Sequence, residues 1–278
     1  MNRRKIAIIH AGGTTCMRTD RKTLTITPVR HEEESFESIH RFLPEIQKFT
    51  SVDFFPLYDT GSSEIQPKHW QELAEFIYKK MNDYEGFVVI HGTNTMSYTA
   101  SALSFALQNL SVPIVFTGGI RPISDLSTDA RQNIVFACML ATMDIAEVCV
   151  VYGKKILRGN CSKKISESFG DVFIVPERGK LGEIHRTILL HENRLKRRKR
   201  NLIFKPNFRG MIPVIRTVPG LDVHIYECMM DKIDGIMIAG YGPGHIPDTW
   251  FPFIKKFAEK GKPILIHSQM HRSEVMLH

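Results

Sequence analysis

The chain has 278 residues, 43% of them apolar and 24% charged, with a formal charge of +8. That is enough for one large domain or two ordinary ones with a sizeable core. No apolar run approaches the roughly 18–20 residues that span a bilayer. The five cysteines (Cys16, Cys138, Cys149, Cys161 and Cys228) include no C-x-x-C pair, which excludes the usual zinc patterns and fits reduced core thiols in a cytoplasmic protein.

The start, "MNRRKIAIIHAGG", is basic and then briefly apolar, but the run stops at His10, so it reads as a first strand rather than a signal peptide. "EEESFESIHRFLPEIQKF" carries a broken helical period. "SVDFFPLYD" predicts a strand, and "PKHWQELAEFIYKKM" a helix with Pro67 near its start. "EGFVVIH" predicts a fully apolar strand, and "TMSYTASALSFALQNL" a helix capped by Asn94 or Thr95. "VPIVFTGG", "STDARQNIVFACMLATM" and "EVCVVYG" continue as strand, helix and strand. Such alternation predicts an α/β fold: a mostly parallel sheet covered by helices on both faces.

A basic run, "NRLKRRKR", follows. No aromatics interleave it and no nucleic-acid motif flanks it, so a solvated linker is the favoured reading over a nucleic-acid or membrane contact. The pattern then restarts with "DGIMIAGYGPG" as a strand, "TWFPFIKKFAEKG" as a helix and "KPILIHS" as a strand. The expected organisation is an N-terminal domain over 1–192, a basic linker over 193–210 and a smaller α/β domain over 211–278. That last layer ends shortly after a strand, without a covering helix, and is expected to be incomplete or completed by a partner.

Three polar clusters follow predicted strands: "HAGGTT" (10–15), "HGTNT" (91–95) and "TGGIRP" (117–122). Ligands of open α/β sheets sit at the carboxyl ends of strands, where glycines allow close backbone approach. G-x-G-x-x-G and G-x-x-x-x-G-K-[ST] are both absent, so neither a dinucleotide nor an NTP is indicated. The turns supply threonine hydroxyls, which need a base to become nucleophiles. His10 and His91 each stand beside such a hydroxyl, as a base or as a strand-end residue, and a desolvated lysine is the other candidate.

"GGTT", "YEGFVVIHGTNTMSYTASALSFALQNLSVPIVFTGG", "RGNCSKK" and "DGIMIAGYGPGHIP", in this order, resemble segments of the bacterial-type L-asparaginases, with the cytoplasmic type I branch as the nearest. The resemblance covers nearly the whole chain. It implies that Thr14 is the nucleophile of an N-terminal loop, with Gly13 beside it. Thr93 would be a second catalytic threonine, after Gly92, and Lys164 the lysine that deprotonates it. Ser63 matches the serine that holds a substrate α-carboxylate, and Glu64 lies where the family has Asp, Asn or Gln near the α-amino group. The implied reaction is hydrolysis of the L-asparagine side-chain amide through an acyl-enzyme, with no metal or organic cofactor, in a homodimer or homotetramer.

The chain departs from the family in four places. Asn94 stands where the family has an Asp that binds the α-ammonium; an amide keeps its shape and loses its charge, which implies reduced activity. Ile26 occupies the approximate place of a lid tyrosine, and His245 that of an Asn contributed across the dimer. The family also continues past the position of His278. These departures keep two alternatives open: a non-catalytic, degenerate binding relative, and a subunit of a tRNA-dependent amidotransferase.

Overall fold

A computed structural model describes residues 5–13, 15, 18–19, 26–27, 43–168, 171–199, 201–270 and 275. The chain divides into two compact units, Met1–Phe208 and Arg209–His278.

In the first unit, β1 (Lys5–Ala11) is a β-branched run in which every residue after Lys5 is buried. It lies inside the sheet, parallel to β2 (Ser51–Tyr58) on one side and to β3 (Phe87–Ile90) on the other. β4 (Ile114–Thr117) and β5 (Val148–Tyr152) extend the parallel ladder. The connections carry α1 (Pro67–Lys80), α2 (Met96–Ala106) and α3 (Ala130–Ala141). Successive side chains of a strand face opposite layers. Ala7, Ile9, Phe87 and Val89 therefore pack with Leu73, Ile77 and Leu103 of α1 and α2. Ile6, Ile8, Val88 and Ile90 pack with Ile134 and Cys138 of α3. Both faces are filled, which is why these strands read as unbroken apolar runs; each fully buried Ile, Leu or Phe contributes about 1.5–3 kcal/mol.

Past β5 the sheet changes direction. A two-residue turn with Gly153 at φ +56° leads into antiparallel β6 (Lys155–Arg158), then β7 (Lys180–Ile184) and β8 (Ile188–Leu190). The eight strands lie in the order β8-β7-β6-β5-β4-β3-β1-β2. The mostly parallel sheet expected from the sequence is present, with an antiparallel flank that the apolar pattern did not announce.

The stretch 193–210 is largely not a free linker. Arg197 donates from Nε to the Met143 carbonyl at 2.6 Å and from Nη2 to the Ala141 carbonyl at 2.7 Å. Arg194 donates to the Asp144 carbonyl at 2.9 Å, and the Leu195 amide to Glu147 Oε1 at 2.9 Å. The carbonyls at the end of α3 lack intrahelical partners and lie at the negative end of the helix dipole, where guanidinium groups are stabilising. Further on, Ile203–Phe204 pairs with Leu107–Gln108, Phe204 stacks on Tyr78 and Phe208 meets Trp70 edge-on. Residues up to Phe208 thus belong with the first unit, because these side chains find partners on it. Arg198 and Lys199 remain exposed.

Of the expected segment 32–49, Pro44–Lys48 forms a 3-10 turn, and residues 32–42 lie outside the described residues. Ile26–Thr27, in the expected lid, pairs antiparallel with Arg18–Thr19. The second unit is a parallel three-stranded sheet, β9 (Val214–Arg216), β10 (Ile236–Gly240) and β11 (Ile264–Ser268), with α4 (Phe251–Glu259) between the last two strands. Ile215, Ile236 and Ile238 pack with Trp250, Phe253 and Phe257, while Val214 and Leu265 are exposed. Among the described residues no helix is long and apolar enough to cross a membrane.

Candidate active site

The three polar turns lie side by side because the strands before them are neighbours: His10 pairs in register with Ile90, and Ile90 with Thr117. Glycine lets them touch. Gly13 has φ +97°, and a Cβ there would meet the Gly92 amide nitrogen at 2.3 Å. A Cβ on Gly92 would meet Ser62 Oγ at 2.6 Å. The Gly13 N–H donates to the Thr60 carbonyl at 3.0 Å, so what Gly13 brings to the site is its missing side chain. Buried Thr15 accepts from the Gly119 N–H at 3.0 Å through Oγ1, and its carbonyl accepts from Ile123 N–H at 2.8 Å. These bonds fasten the first turn to the third just after Thr14, which itself lies outside the described residues.

Thr93 is buried just past β3. Lys164 sits on a two-residue strand, Lys163–Lys164, that pairs antiparallel with Phe173–Ile174. From there its Nζ donates to Thr93 Oγ1 at 2.8 Å, to Asn94 Oδ1 at 2.7 Å and to Glu167 Oε1 at 2.7 Å. The lysine side chain is only 12% exposed, so these three acceptors take the place of water. Asn94 reaches Ser63 Oγ through Nδ2 at 3.4 Å, while the expected cap of α2 is Thr95, whose hydroxyl donates to the Ser62 carbonyl at 2.6 Å. The structure thus brings Thr93, Asn94, Lys164 and Ser63 together, with Gly13 and Gly92 behind them. Glu64 is exposed on the 3-10 turn Ser62–Glu64. His245 lies in the second unit, where it closes a tight turn with Tyr241 and is exposed.

Both strand-end histidines are buried. The Gly92 carbonyl can only accept, and it lies 2.8 Å from His91 Nδ1, so Nδ1 carries the proton. Nε2 then accepts from Thr99 Oγ1 at 2.9 Å, and Thr99 accepts from Trp70 Nε1 at 3.1 Å. Burial pushes His91 down to about 4. His10 is likewise lowered to about 4, first by burial and then by the charge of His91, and its Nε2 has no partner among the described residues. Both rings are held neutral as structural groups.

Sequence reasoning missed Glu167 and Ser62. A carboxylate three residues after the lysine was a visible signal for the first. Ser62 differs from Ser63 only in burial, which composition does not reveal. Among the described residues no cluster of His, Cys, Asp and Glu could hold a metal ion. Chemically, the arrangement offers a hydroxyl and an amine within proton-transfer distance, past the carboxyl ends of interior strands.

Comparisons with known proteins cover nearly the whole chain. The family model described as Asparaginase, N-terminal matches residues 5–196, and the Glutaminase/Asparaginase C-terminal domain matches 211–278. The crystal structure of L-asparaginase I from Vibrio cholerae superposes with a TM-score of 0.88 at 27% identity, over 99% of this chain and 84% of that one. L-asparaginase 1 of Escherichia coli is 31% identical over 90% of this chain and 74% of its own length. One of the subunits of the glutamyl-tRNA(Gln) amidotransferase of Pyrococcus abyssi is 32% identical over 95% of this chain, and the chain spans 62% of the length of that relative. With both halves matched in order and the turns in place, the chain belongs to the asparaginase family.

Proposed function

We propose that the chain hydrolyses the side-chain amide of an asparagine-like substrate to the acid and ammonia. The observation that carries this reading is the 2.8 Å contact between Lys164 Nζ and Thr93 Oγ1 in the turn after β3. In the first half-reaction the Thr14 hydroxyl attacks the carboxamide carbon, its proton passes to the leaving nitrogen, and ammonia departs from an acyl-enzyme. In the second, water attacks the ester and restores Thr14. Thr93 and Lys164 move the protons: the ammonium of Lys164 first yields a proton toward Glu167, the amine so formed accepts from the Thr93 hydroxyl, and the protons return at the end of the cycle. Backbone N–H groups of the turns stabilise the oxyanion. Ser63 and Glu64 flank the substrate, and no cofactor enters the scheme.

The test is ammonia release from L-asparagine by purified protein. Lys164→Met and Thr93→Val are expected to lower turnover at least about a hundredfold, with thermal unfolding little changed. Wild-type turnover in either variant would overturn the site. In this reading the protein works in the cytoplasm as a homodimer or homotetramer, with His245 reaching a neighbouring subunit; its four described cysteines are all free thiols.

A second reading is supported by the likeness to the amidotransferase chain of Pyrococcus abyssi, which extends over 95% of this chain. In that case the protein works as one component of a complex with tRNA-handling partners. Salt-dependent retention of tRNA, with or without added partners, distinguishes it. The engagement of Arg194 and Arg197 with the end of α3 leaves less free positive charge for such contact than the run suggests. Ligand binding without ammonia release would instead identify the degenerate binding relative.

A further inference from the structure

The ammonium of Lys164 has three N–H bonds and no acceptor. The Asn94 side-chain atom 2.7 Å from it must therefore be the oxygen, in keeping with the hydrogen bond to Oδ1. The other two hydrogens of Lys164 go to Thr93 and Glu167, so all three are used. Turning the Asn94 amide over would set N–H against N–H. Its orientation is fixed by chemistry, and Nδ2 has to face the other way, toward Ser63. There the bond to Ser63 Oγ is 3.4 Å long, beyond the usual range for N–H···O, at an exposed edge. The Asn94 N–H group is thus poorly satisfied and turned outward, beside a hydroxyl that can donate as well as accept. Glu167 supplies a negative charge to Lys164, so the residue at 94 can be neutral.

We propose that Asn94 Nδ2 and Ser63 Oγ form a donor-presenting subsite that takes a hydrogen-bond acceptor, a carboxylate or an acyl carbonyl, in preference to an ammonium group. This deepens the amidohydrolase reading and rests on it for the ligand's other end. The substrate class it selects is a side-chain amide without a free α-ammonium, such as an N-acylated asparagine or succinamate. An ammonium placed here would meet the Asn94 N–H hydrogens, which it cannot bond, and would find Ser63 Oγ as its one acceptor of the pair, whereas an acyl carbonyl would complete the donor that Ser63 leaves underused.

Calorimetry on the full chain with succinate, N-acetyl-L-aspartate and L-aspartate as probes tests this. Succinate and N-acetyl-L-aspartate are expected to bind about tenfold tighter than L-aspartate. Asn94→Asp should reverse that order and Asn94→Ala should abolish the preference; thermal unfolding checks that both variants are folded. L-aspartate binding tightest to the wild-type chain, an unchanged order in Asn94→Asp, or no binding of any probe at about 10 mM would each overturn the inference. Ammonia release from L-asparagine and N-acetyl-L-asparagine, measured in parallel, reads the hydrolase separately. Release from both without preference keeps the hydrolase and removes this subsite. A binding preference without release keeps the subsite and removes the hydrolase.

Discussion

Replacing Gly13 by Ala should damage stability and activity together, by amounts that follow from the contact between the first two turns. The new Cβ would sit 2.3 Å from the Gly92 nitrogen, whereas ordinary van der Waals contact begins at 3.4 Å, so the turns must separate by about 1.1 Å. The obstacle is backbone on a buried residue, with no rotamer to move aside. The φ of +97° adds strain for any residue with a Cβ. Overpacking and strain together cost about 2–4 kcal/mol, a fall in Tm of roughly 5–15 °C for a unit of this size. The same displacement parts the turn that carries Thr14 from the one that carries Thr93, and an ångström of misplacement costs on the order of a hundredfold in kcat/KM. Gly61→Ala is the control. It lies one residue from Ser62, its backbone is extended at φ −62°, and nothing lies within 4 Å of its added Cβ. Calorimetric unfolding and ammonia release should show a large effect for Gly13→Ala and almost none for Gly61→Ala. Equal effects, or a silent Gly13→Ala, would refute the reasoning.

Acid should destabilise the first unit through His10 and His91. Both are lowered to about 4 in the folded chain, against about 6.5 when unfolded, so the unfolded chain binds more protons between those values and stability falls as pH drops from 6.5 toward 4. The loss at pH 5 is about 2 kcal/mol per histidine, and urea midpoints from pH 7 to pH 4.5 would measure it; a flat profile would contradict the buried neutral rings. Arg197→Ala removes two bonds to carbonyls at the end of α3 and should cost about 1–3 kcal/mol, whereas Lys199→Ala, exposed, should cost under about 0.5 kcal/mol. Denaturant titration of the two variants compares a capped helix with a free basic run. Ile8→Ala, at a fully buried position of β1, should cost about 2–5 kcal/mol, seen as a lower urea midpoint with an unchanged slope.

What could be read from the sequence depended on how local each signal is. β1, β3, β4 and β5 were legible because strands buried on both faces leave continuous runs such as Phe87–Ile90. β6 and β7 were not, because they carry Lys155, Arg158, Lys180 and Glu183 among their apolar residues, and β8 is only three residues long. Thr93 and Lys164 could be named from motif order, but the strand that aims the lysine is two residues long and has no pattern to read. The basic run was misread for a related reason. Solvated arginines and helix-capping arginines look the same in sequence, and the carbonyls that receive Arg197 lie more than 50 residues upstream.

β1 is an interior strand of the sheet and precedes in sequence both strands that flank it. Ile8 pairs with Phe54 and with Val88, 46 and 80 residues downstream. During synthesis, at about 5–20 residues per second, the strand waits for both neighbours, its backbone donors satisfied by water alone. The turn that follows β1 gains its fixed neighbours, Thr60 and Gly92, only in the same closure. The residues that follow β1 therefore reach their working geometry no earlier than the chain near residue 92 does, and the loop-closure entropy of that wait belongs to the folding barrier. The candidate site is thus complete only once the chain near Gly92 exists, although its first turn is made well before.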